Sequence, residues 1–432
     1  MPNPPLIPDL AQQAPSGPLL LAFSGGLDSS VLLHLLVSVG LGPRLRVVHI
    51  NHQLQKNSSQ WAAHCEQVAG DLSVSCQVIP VQVETGRGVE AGARQARYQA
   101  LFADARRDGA TLITAHHRDD QAETLLLRLL RGAGVQGLAA MRPLDHRQGV
   151  AVWRPLLEQP RSVLERYARE QGLRWQEDPS NQDQSLRRNH LRHSILPALR
   201  RRWQGTEEVL ARTARHMAEA SELLDERAAE DARSCGVDGQ RFPLTGLSAL
   251  RPARQRNLLR WWLQDQGASA PSAAVLDQAL ALQDAAEDSQ ARVEWGRWAV
   301  RLYRGALYVL PRQAQAPWQG ELSWPQGSPP PSLPLWQLVS TGVDEGIRLW
   351  RPPGDLVLRP FTGGERLLRN GMHQRIKELW RAAGVPPWQR RQWPLLYRGE
   401  TLVSVPLLGL ADGEEKAHCQ EWFLLPRHRG GG

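Results

Sequence analysis

The chain has 432 residues, enough for two or three domains and a sizeable core. Its 52 Lys and Arg exceed its 44 Asp and Glu, and only Lys56, Lys377 and Lys416 are lysines, so nearly all the positive charge is guanidinium, whose two-pronged donor geometry suits phosphate. Four scattered cysteines, Cys65, Cys76, Cys235 and Cys419, argue against a cysteine-built zinc or iron–sulfur site and against a disulfide framework. With a sequence pI near 9.8, a polyanionic partner is expected and nucleic acid leads, compositional Arg bias being the alternative. Neither a charged leader nor a long uncharged apolar run is present, so a cytoplasmic protein with no membrane partner is expected.

Leu19 to Phe23 is a short apolar run suited to a buried parallel strand, and Val31, Leu32, Leu35 and Leu36 mark the inner face of a helix. Between them lies Ser24-Gly25-Gly26-Leu27-Asp28-Ser29. Two glycines let the backbone approach a ligand, and the helix start offers unpaired N–H groups and partial positive charge, which together make a phosphate cradle. An ordinary strand-to-helix turn with Asp28 or Ser29 as its cap is the plainer alternative. No Gly-Lys-Ser or Gly-Lys-Thr follows, so this is not a Walker loop.

Further along, strands over Leu45–Ile50, Val74–Val83 and Thr111–Ala115 alternate with helices over Ser58–Ala69, Val89–Arg107 and Asp119–Leu130. Alternation at this spacing predicts an α/β domain with an open, mostly parallel sheet and helices on both faces, in which ligands sit beyond the carboxyl ends of the strands. That rule selects Ser24–Ser29, Asn51-His52 and His116-His117-Arg118-Asp119-Asp120-Gln121-Ala122-Glu123. Asp120 and Glu123 share a face of the first helical turn, where carboxylates can hold Mg2+ or a substrate ammonium, unless they are merely a cap and a solvated face. A metal site built from His116 and His117 is disfavoured, because adjacent residues on a strand end point opposite ways. Leu138–Gly149, with Pro143 and polar residues, reads as a loop, and Arg161–Gln171 as an amphipathic helix ended by Gly172.

The run Ser24–Ser29 resembles the pyrophosphatase loop of the N-type ATP pyrophosphatases (PP-loop enzymes), which have a Rossmann-like fold. Taken in order with Asn51-His52, Glu90-Ala91-Gly92-Ala93-Arg94-Gln95-Ala96-Arg97-Tyr98, His116 to Thr124, Arg131 to Leu138 and Arg154-Pro155-Leu156-Leu157, it is similar to the tRNA(Ile)-lysidine synthetase family. That resemblance implies adenylation of C2 of the wobble cytidine in a CAU anticodon, followed by displacement of AMP by the side-chain amine of free L-lysine. It implies ATP and Mg2+ as cofactors and tRNA(Ile) as partner, and it is compatible with a homodimer. ATP would lie on Ser24, Gly25, Gly26, Leu27, Asp28 and Ser29. Catalysis would fall to Asp28, Asp119, Asp120, Glu123 and Arg188, with Asp28 and Asp120 as candidate Mg2+ ligands. Arg94, Arg97, His116, His117, Asn189 and Arg192 would meet the substrate or tRNA. On residues alone, Arg94 and Arg97 read first as a surface ion-pairing face of an Arg-rich helix.

Leu186 to Gln204 carries Arg187, Arg188, Arg192, Arg200, Arg201 and Arg202 and no acid, a run that suits an RNA backbone better than a balanced surface. Thr206–Ala229, Leu247–Leu263 and Ala273–Leu282 read as helices, with Trp261 and Trp262 more often core than a base-stacking platform. Arg292–Leu310 reads as a hairpin turning at Arg304-Gly305, and the six prolines of Pro317–Pro334 as a semi-rigid linker. Strands over Arg348–Leu358 and Leu402–Leu408 then flank a helix over His373–Ala383. Arg351-Pro352-Pro353-Gly354-Asp355 resembles the opening of the family's last domain, which engages the acceptor stem. Arg366, Arg369, Arg375 and Lys377 stand where that family often has a lysine-rich run.

The expected organisation is a PP-loop catalytic domain (1–204), a small, mainly helical tRNA-binding domain (205–316), a Pro-rich linker (317–335) and a small α+β tRNA-binding domain (336–432). A thiolation enzyme of the same superfamily is the nearest rival, and the lack of paired cysteines argues against it. A catalytically inactive RNA-binding scaffold is the rival from another class. The acids Asp28, Asp119, Asp120 and Glu123 argue against that, since RNA binding gains nothing from clustered negative charge.

Overall fold

The structure, a computed structural model, describes residues 6–53, 58–83, 89–285, 291–312, 319–340 and 346–426. Two compact units divide at 224/225. The first holds α1 (Leu10–Gln13), β1 (Leu19–Ala22), α2 (Leu27–Ser38), β2 (Leu45–Asn51), α3 (Ser58–Asp71), β3 (Cys76–Pro80), α4 (Val89–Arg107), β4 (Thr111–Ile113), α5 (Arg118–Leu129), α6 (Val135–Leu138), β5 (Leu144–Arg147), β6 (Val150–Trp153) and α7 (Arg161–Glu170). Its basic segment is α8 (Arg187–His190), a π turn (Leu191–Ile195) and α9 (Leu196–Arg202), followed by α10 (Thr206–Ser234), within which the boundary falls.

The first sheet has the order β3-β2-β1-β4-β6-β5, parallel throughout except for β5 at one edge. Leu19, Leu21 and Phe23 bury one face against Val31, Leu32 and Leu35 of α2 and Leu164 of α7. Leu20 faces the other side with Val48, Leu101, Phe102 and Leu112. A strand covered on both faces needs apolar residues at every position, and Leu19–Leu21 meet that demand. Strand order reverses between β1 and β4, which opens a crevice at their carboxyl ends. Leu21 is level with both Val47 and Ile113, so the loops after β1 and β4 leave the sheet at one height.

One expectation fails here. Leu138–Gly149 is not only loop, because β5 lies within it and pairs antiparallel with β6. Gln148 (φ 52°) and Gly149 (φ 76°) make the two-residue turn, both in the left-handed region that such a hairpin requires. The polar Asp145-His146-Arg147 sequence is tolerated because β5 is an edge strand.

In the second unit, β7 (Arg241–Pro243), α11 (Pro252–Asp265), α12 (Ala273–Ala281), β8 (Arg292–Trp295), β9 (Trp298–Tyr303) and β10 (Ala306–Pro311) combine helices with a four-stranded antiparallel sheet of order β7-β10-β9-β8. The expected hairpin over Arg292–Leu310 is three strands, β8 to β10, with β9 and β10 turning at Arg304-Gly305, and β7 adds a fourth, so this region carries more strand than its helical periodicity suggested. Trp262 is core: it is fully buried, packs 5.0 Å from Phe242 and donates its indole N–H to the Gly239 carbonyl at 2.8 Å.

The remainder comprises β11 (Leu322–Trp324), β12 (Trp336–Val339), β13 (Ile347–Arg351), β14 (Leu356–Pro360), β15 (Arg366–Arg369), β16 (Met372–Arg375), α13 (Ile376–Ala382), α14 (Pro387–Arg390), β17 (Pro394–Arg398), β18 (Thr401–Val405), β19 (Gly409–Leu410) and β20 (Gln420–Pro426). The Pro-rich stretch expected to be a linker is built into this domain, residues 317 and 318 lying outside the described ones. Within it β11 pairs with β14, and Trp324 and Leu333 are buried. The single strand expected over Arg348–Leu358 is two strands, β13 and β14. At their junction the buried Arg351 donates to the carbonyls of Pro352, Trp324, Pro325 and Gly354 and stacks on Trp324, 4.8 Å from the ring centre. No described helix is long and apolar enough to cross a membrane.

Candidate active site

The loop after β1 is shaped by its backbone. Gly25 has φ +73°, and a Cβ there would meet Cys65 Sγ at 2.8 Å and Trp61 Nε1 at 2.9 Å, so glycine is required for conformation and for space. Gly26 opens α2 with no side chain capping it, leaving first-turn N–H groups unspent. The serines face each other, with Ser24 Oγ 3.0 Å from Ser29 Oγ and Ser29 Oγ donating to the Gly26 carbonyl at 3.0 Å. Asp28 lies in the first turn of α2. Its Oδ1 is buried without a hydrogen-bond partner, and burial raises its carboxyl above the usual aspartate value of 3.8 despite the opposing charges of His117, Arg161 and Arg192.

The loop after β4 is shaped by side chains. His117 caps α5: its Nδ1 accepts from the Asp120 N–H at 3.4 Å, and Asp120 Oδ2 accepts the His117 N–H at 3.1 Å. The ring's Nε2 stands 3.7 Å from Asp28 Oδ2 and 3.4 Å from Asp120 Oδ2, so one imidazole joins the two strand-end loops. Around α5 the acids are committed to guanidinium groups. Arg188 donates to Asp120 Oδ1 at 2.9 Å and to Glu123 Oε2 at 2.7 Å, and Arg192 donates to Glu123 Oε1 at 2.6 Å, to Glu123 Oε2 at 3.1 Å and to Asp120 Oδ1 at 3.3 Å. Burial pushes the Asp120 carboxyl up, but His117, Arg188, His116 and Arg192 outweigh it and hold it well below its ordinary range. Conversely, Asp120 and Glu123 outweigh burial at Arg188 and Arg192 and keep both guanidinium groups firmly charged.

Asp119 points elsewhere, accepting the Arg161 N–H at 3.0 Å and Arg200 Nη2 at 3.3 Å. His116 shares a 2.8 Å hydrogen bond with Thr114, and burial lowers its pKa to about 3, so its ring is neutral near pH 7. Arg94 and Arg97 flank Tyr98, 5.0 and 5.6 Å from its ring centre, and burial lowers the Arg97 pKa, with Arg94 and Arg188 adding repulsion. The side chains of Glu90 and Ala91 lie outside the described residues. Asn189, expected to meet substrate or tRNA, is engaged within the chain. Its amide donates to the Ser180 and Asp183 carbonyls, both at 2.9 Å, so this buried group pins the preceding loop.

Asp28, His117, Asp120, Glu123, Arg188 and Arg192 therefore come together, with Asp119 at their edge. Sequence reading missed His49, Trp61 and Arg161, which support the loops from other elements. Arg200 lay in the basic run without a role. Among the described residues no group of three or more His, Cys, Asp or Glu is preassembled to hold a metal ion.

Comparison with known proteins finds relatives along nearly the whole chain. A PP-loop domain model matches residues 7–199, a TilS substrate-binding domain model 242–308 and a TilS substrate C-terminal domain model 356–425. The chain is 42% identical over 427 residues to a tRNA(Ile)-lysidine synthase of Alkalilimnicola ehrlichii, covering 95% of each. It is 41% identical over 422 residues to that of Pseudomonas syringae pv. tomato, covering 94% of this chain and 92% of the relative. With that of Escherichia coli O157:H7 it shares 40% over 417 residues, covering 92% of this chain and 94% of the relative. Relatives this similar over nearly the whole length place the chain in the tRNA(Ile)-lysidine synthase family.

Proposed function

We propose that this chain uses ATP to join free L-lysine to C2 of the wobble cytidine of tRNA(Ile) bearing a CAU anticodon, yielding lysidine. The observation that carries the reading is the meeting, at one crevice, of an uncapped glycine loop and a carboxylate–guanidinium cluster. The first suits a phosphate chain; the second suits a cationic amine and a polyanion. The C2 oxygen of cytidine is a poor leaving group. Its attack on the α-phosphorus forms a C2–O–P bond and releases pyrophosphate toward the loop. Attack by the lysine side-chain amine then forms the C–N bond, breaks the C2–O bond and releases AMP, the amine's proton passing to a carboxylate.

Asp119, more exposed than Asp120 or Glu123 and held by the Arg161 N–H, by Arg200 at 3.3 Å and by His117 Nδ1 at 3.8 Å, is the acid of α5 best placed to take that proton. Asp120 and Glu123 are the binding acids. A lysine ammonium must displace Arg188 and Arg192 from them, which phosphates of ATP or RNA favour by offering those guanidinium groups other oxygens. When bound with ATP, Mg2+ would neutralise charge developing on the phosphates. The unpartnered Oδ1 of Asp28 fits it, whereas both oxygens of Asp120 already accept protein donors, so Asp28 is the preferred ligand of the two. Arg94 and Arg97 would face the cytidine or its phosphates. The second unit's domains would carry the tRNA. Free thiols at all four cysteines suit the cytoplasm.

Incubation with ATP, Mg2+, radiolabelled lysine and CAU-bearing transcripts tests the reading. Label should enter the isoleucine-type transcript only, with stoichiometric AMP. Incorporation without ATP, or none into either transcript, would sink it.

A further inference from the structure

Three consecutive carbonyls of the loop after β1 are each held by a donor from a different part of the first unit. Phe23 O accepts from His49 Nδ1 of β2 at 2.9 Å. Ser24 O accepts from Trp61 Nε1 of α3 at 2.6 Å. Gly25 O accepts from the Gln176 N–H, beyond α7, at 2.9 Å. A planar trans peptide carries its C=O and the following N–H in opposite directions. Drawing the Phe23 and Ser24 carbonyls back into the protein therefore turns the N–H groups of Ser24 and Gly25 away from those donors, while the Gly26 N–H donates to Ser24 Oγ at 3.3 Å. Successive N–H groups presented on one side are an anion-binding concavity.

The clamp is close-fitting. Trp61 and Cys65 are the groups a Cβ at Gly25 would strike, so the wall that orients the loop also dictates its glycine. His49 must carry its proton on Nδ1, since a carbonyl only accepts, and Cys65 Sγ lies 3.3 Å from that nitrogen. Burial lowers the pKa of this imidazole, against the Phe23 carbonyl, which raises it.

We propose that His49 and Trp61 are positioning residues that fix the peptide planes of the pyrophosphate grip before ATP arrives. This rests on the reading of the loop as the ATP phosphate site. Two donors from two elements, acting on adjacent peptides, hold the amides still so that binding does not have to order them.

The test uses the full chain and three variants. Trp61→Phe keeps the packing and removes one donor; His49→Leu removes the other; His49→Asn places an amide N–H near the Nδ1 position. The KM values for ATP, lysine and tRNA, inhibition by inorganic pyrophosphate and the melting temperature are measured for each. Loss of one neutral hydrogen bond should raise the KM for ATP and the inhibition constant of pyrophosphate together by roughly three- to tenfold. The KM values for lysine and tRNA should stay put, and His49→Asn should recover most of the His49→Leu loss. Unchanged pyrophosphate inhibition in both Trp61→Phe and His49→Leu overturns the clamp. So does a uniform rise of all three KM values that tracks a lowered melting temperature, which is the signature of a merely structural contact. Pyrophosphate that fails to compete with ATP on the unaltered protein overturns the loop's role itself, and the clamp with it.

Discussion

The two loops at the crevice solve opposite problems. The one after β1 presents main-chain N–H groups whose peptide carbonyls are anchored, at the start of a helix that no side chain caps. The one after β4 presents side chains that are almost wholly spent on each other: Glu123 accepts three hydrogen bonds from two arginines. A backbone loop cannot change its charge or swing away, so it suits a ligand whose geometry never varies. A carboxylate–guanidinium lattice can be opened by exchanging one partner for another, so it suits a site that receives several ligands in turn. The fixed half is ready before binding, and the exchangeable half must be rearranged by it.

The contrast can be broken at its strongest point first. Asp28→Ala removes the acid that belongs to the fixed half and whose Oδ1 lacks a hydrogen-bond partner. Lysidine formation should fall by roughly a hundred- to a thousandfold. tRNA affinity and melting temperature should hold, because no internal hydrogen bond to Oδ1 is lost. Turnover within threefold of the unaltered protein removes Asp28 from the mechanism.

Glu123→Ala attacks the exchangeable half. It strands Arg188 and Arg192 beside each other with only Asp120 to balance them, and breaking a buried ion pair from one side costs about 3 kcal/mol. Denaturant unfolding should show a loss of that size. A change below about 1 kcal/mol would mean that the lattice is weakly held and that the contrast between the halves is overdrawn.

The smallest effect sharpens the comparison most. If Arg192 leaves Glu123 for a phosphate when tRNA binds, Arg192→Gln should make the salt dependence of tRNA affinity shallower by about one unit of log–log slope. An unaltered slope would keep Arg192 on the acids throughout.

The fixed half was legible in sequence and its support was not. Gly-Gly between a Leu run and a helical stripe announces a strand–turn–helix, because backbone conformation leaves a local signature. Trp61 and His49 act on carbonyls 37 and 26 residues away, and nothing in their own neighbourhoods marks them. Likewise the acids of α5 were visible as a group, but their pairing with Arg188 and Arg192 spans 65 to 72 residues. Composition suggested arginine for RNA, and the fold turns two of those arginines inward. β5 was hidden because an edge strand need not alternate, and β11 because prolines around Leu322–Trp324 masked a three-residue strand whose Trp324 enters the core. Asn189 sits between Arg188 and Arg192 in sequence, but its short amide bonds the loop carbonyls of Ser180 and Asp183, a contact its neighbours do not announce.

The π turn at Leu191–Ile195 has a consequence for how this site can change over time. One extra residue in a helical turn rotates everything beyond it by roughly 100°. Arg188, before the turn, and Arg192, within its first residues, reach Asp120 and Glu123, while Arg200, beyond it, reaches Asp119. A single-codon deletion there would preserve every arginine and every acid in the composition, yet re-aim the far half of the segment away from Asp119. The inheritance of this site thus depends on chain length between its charges as much as on the charges themselves.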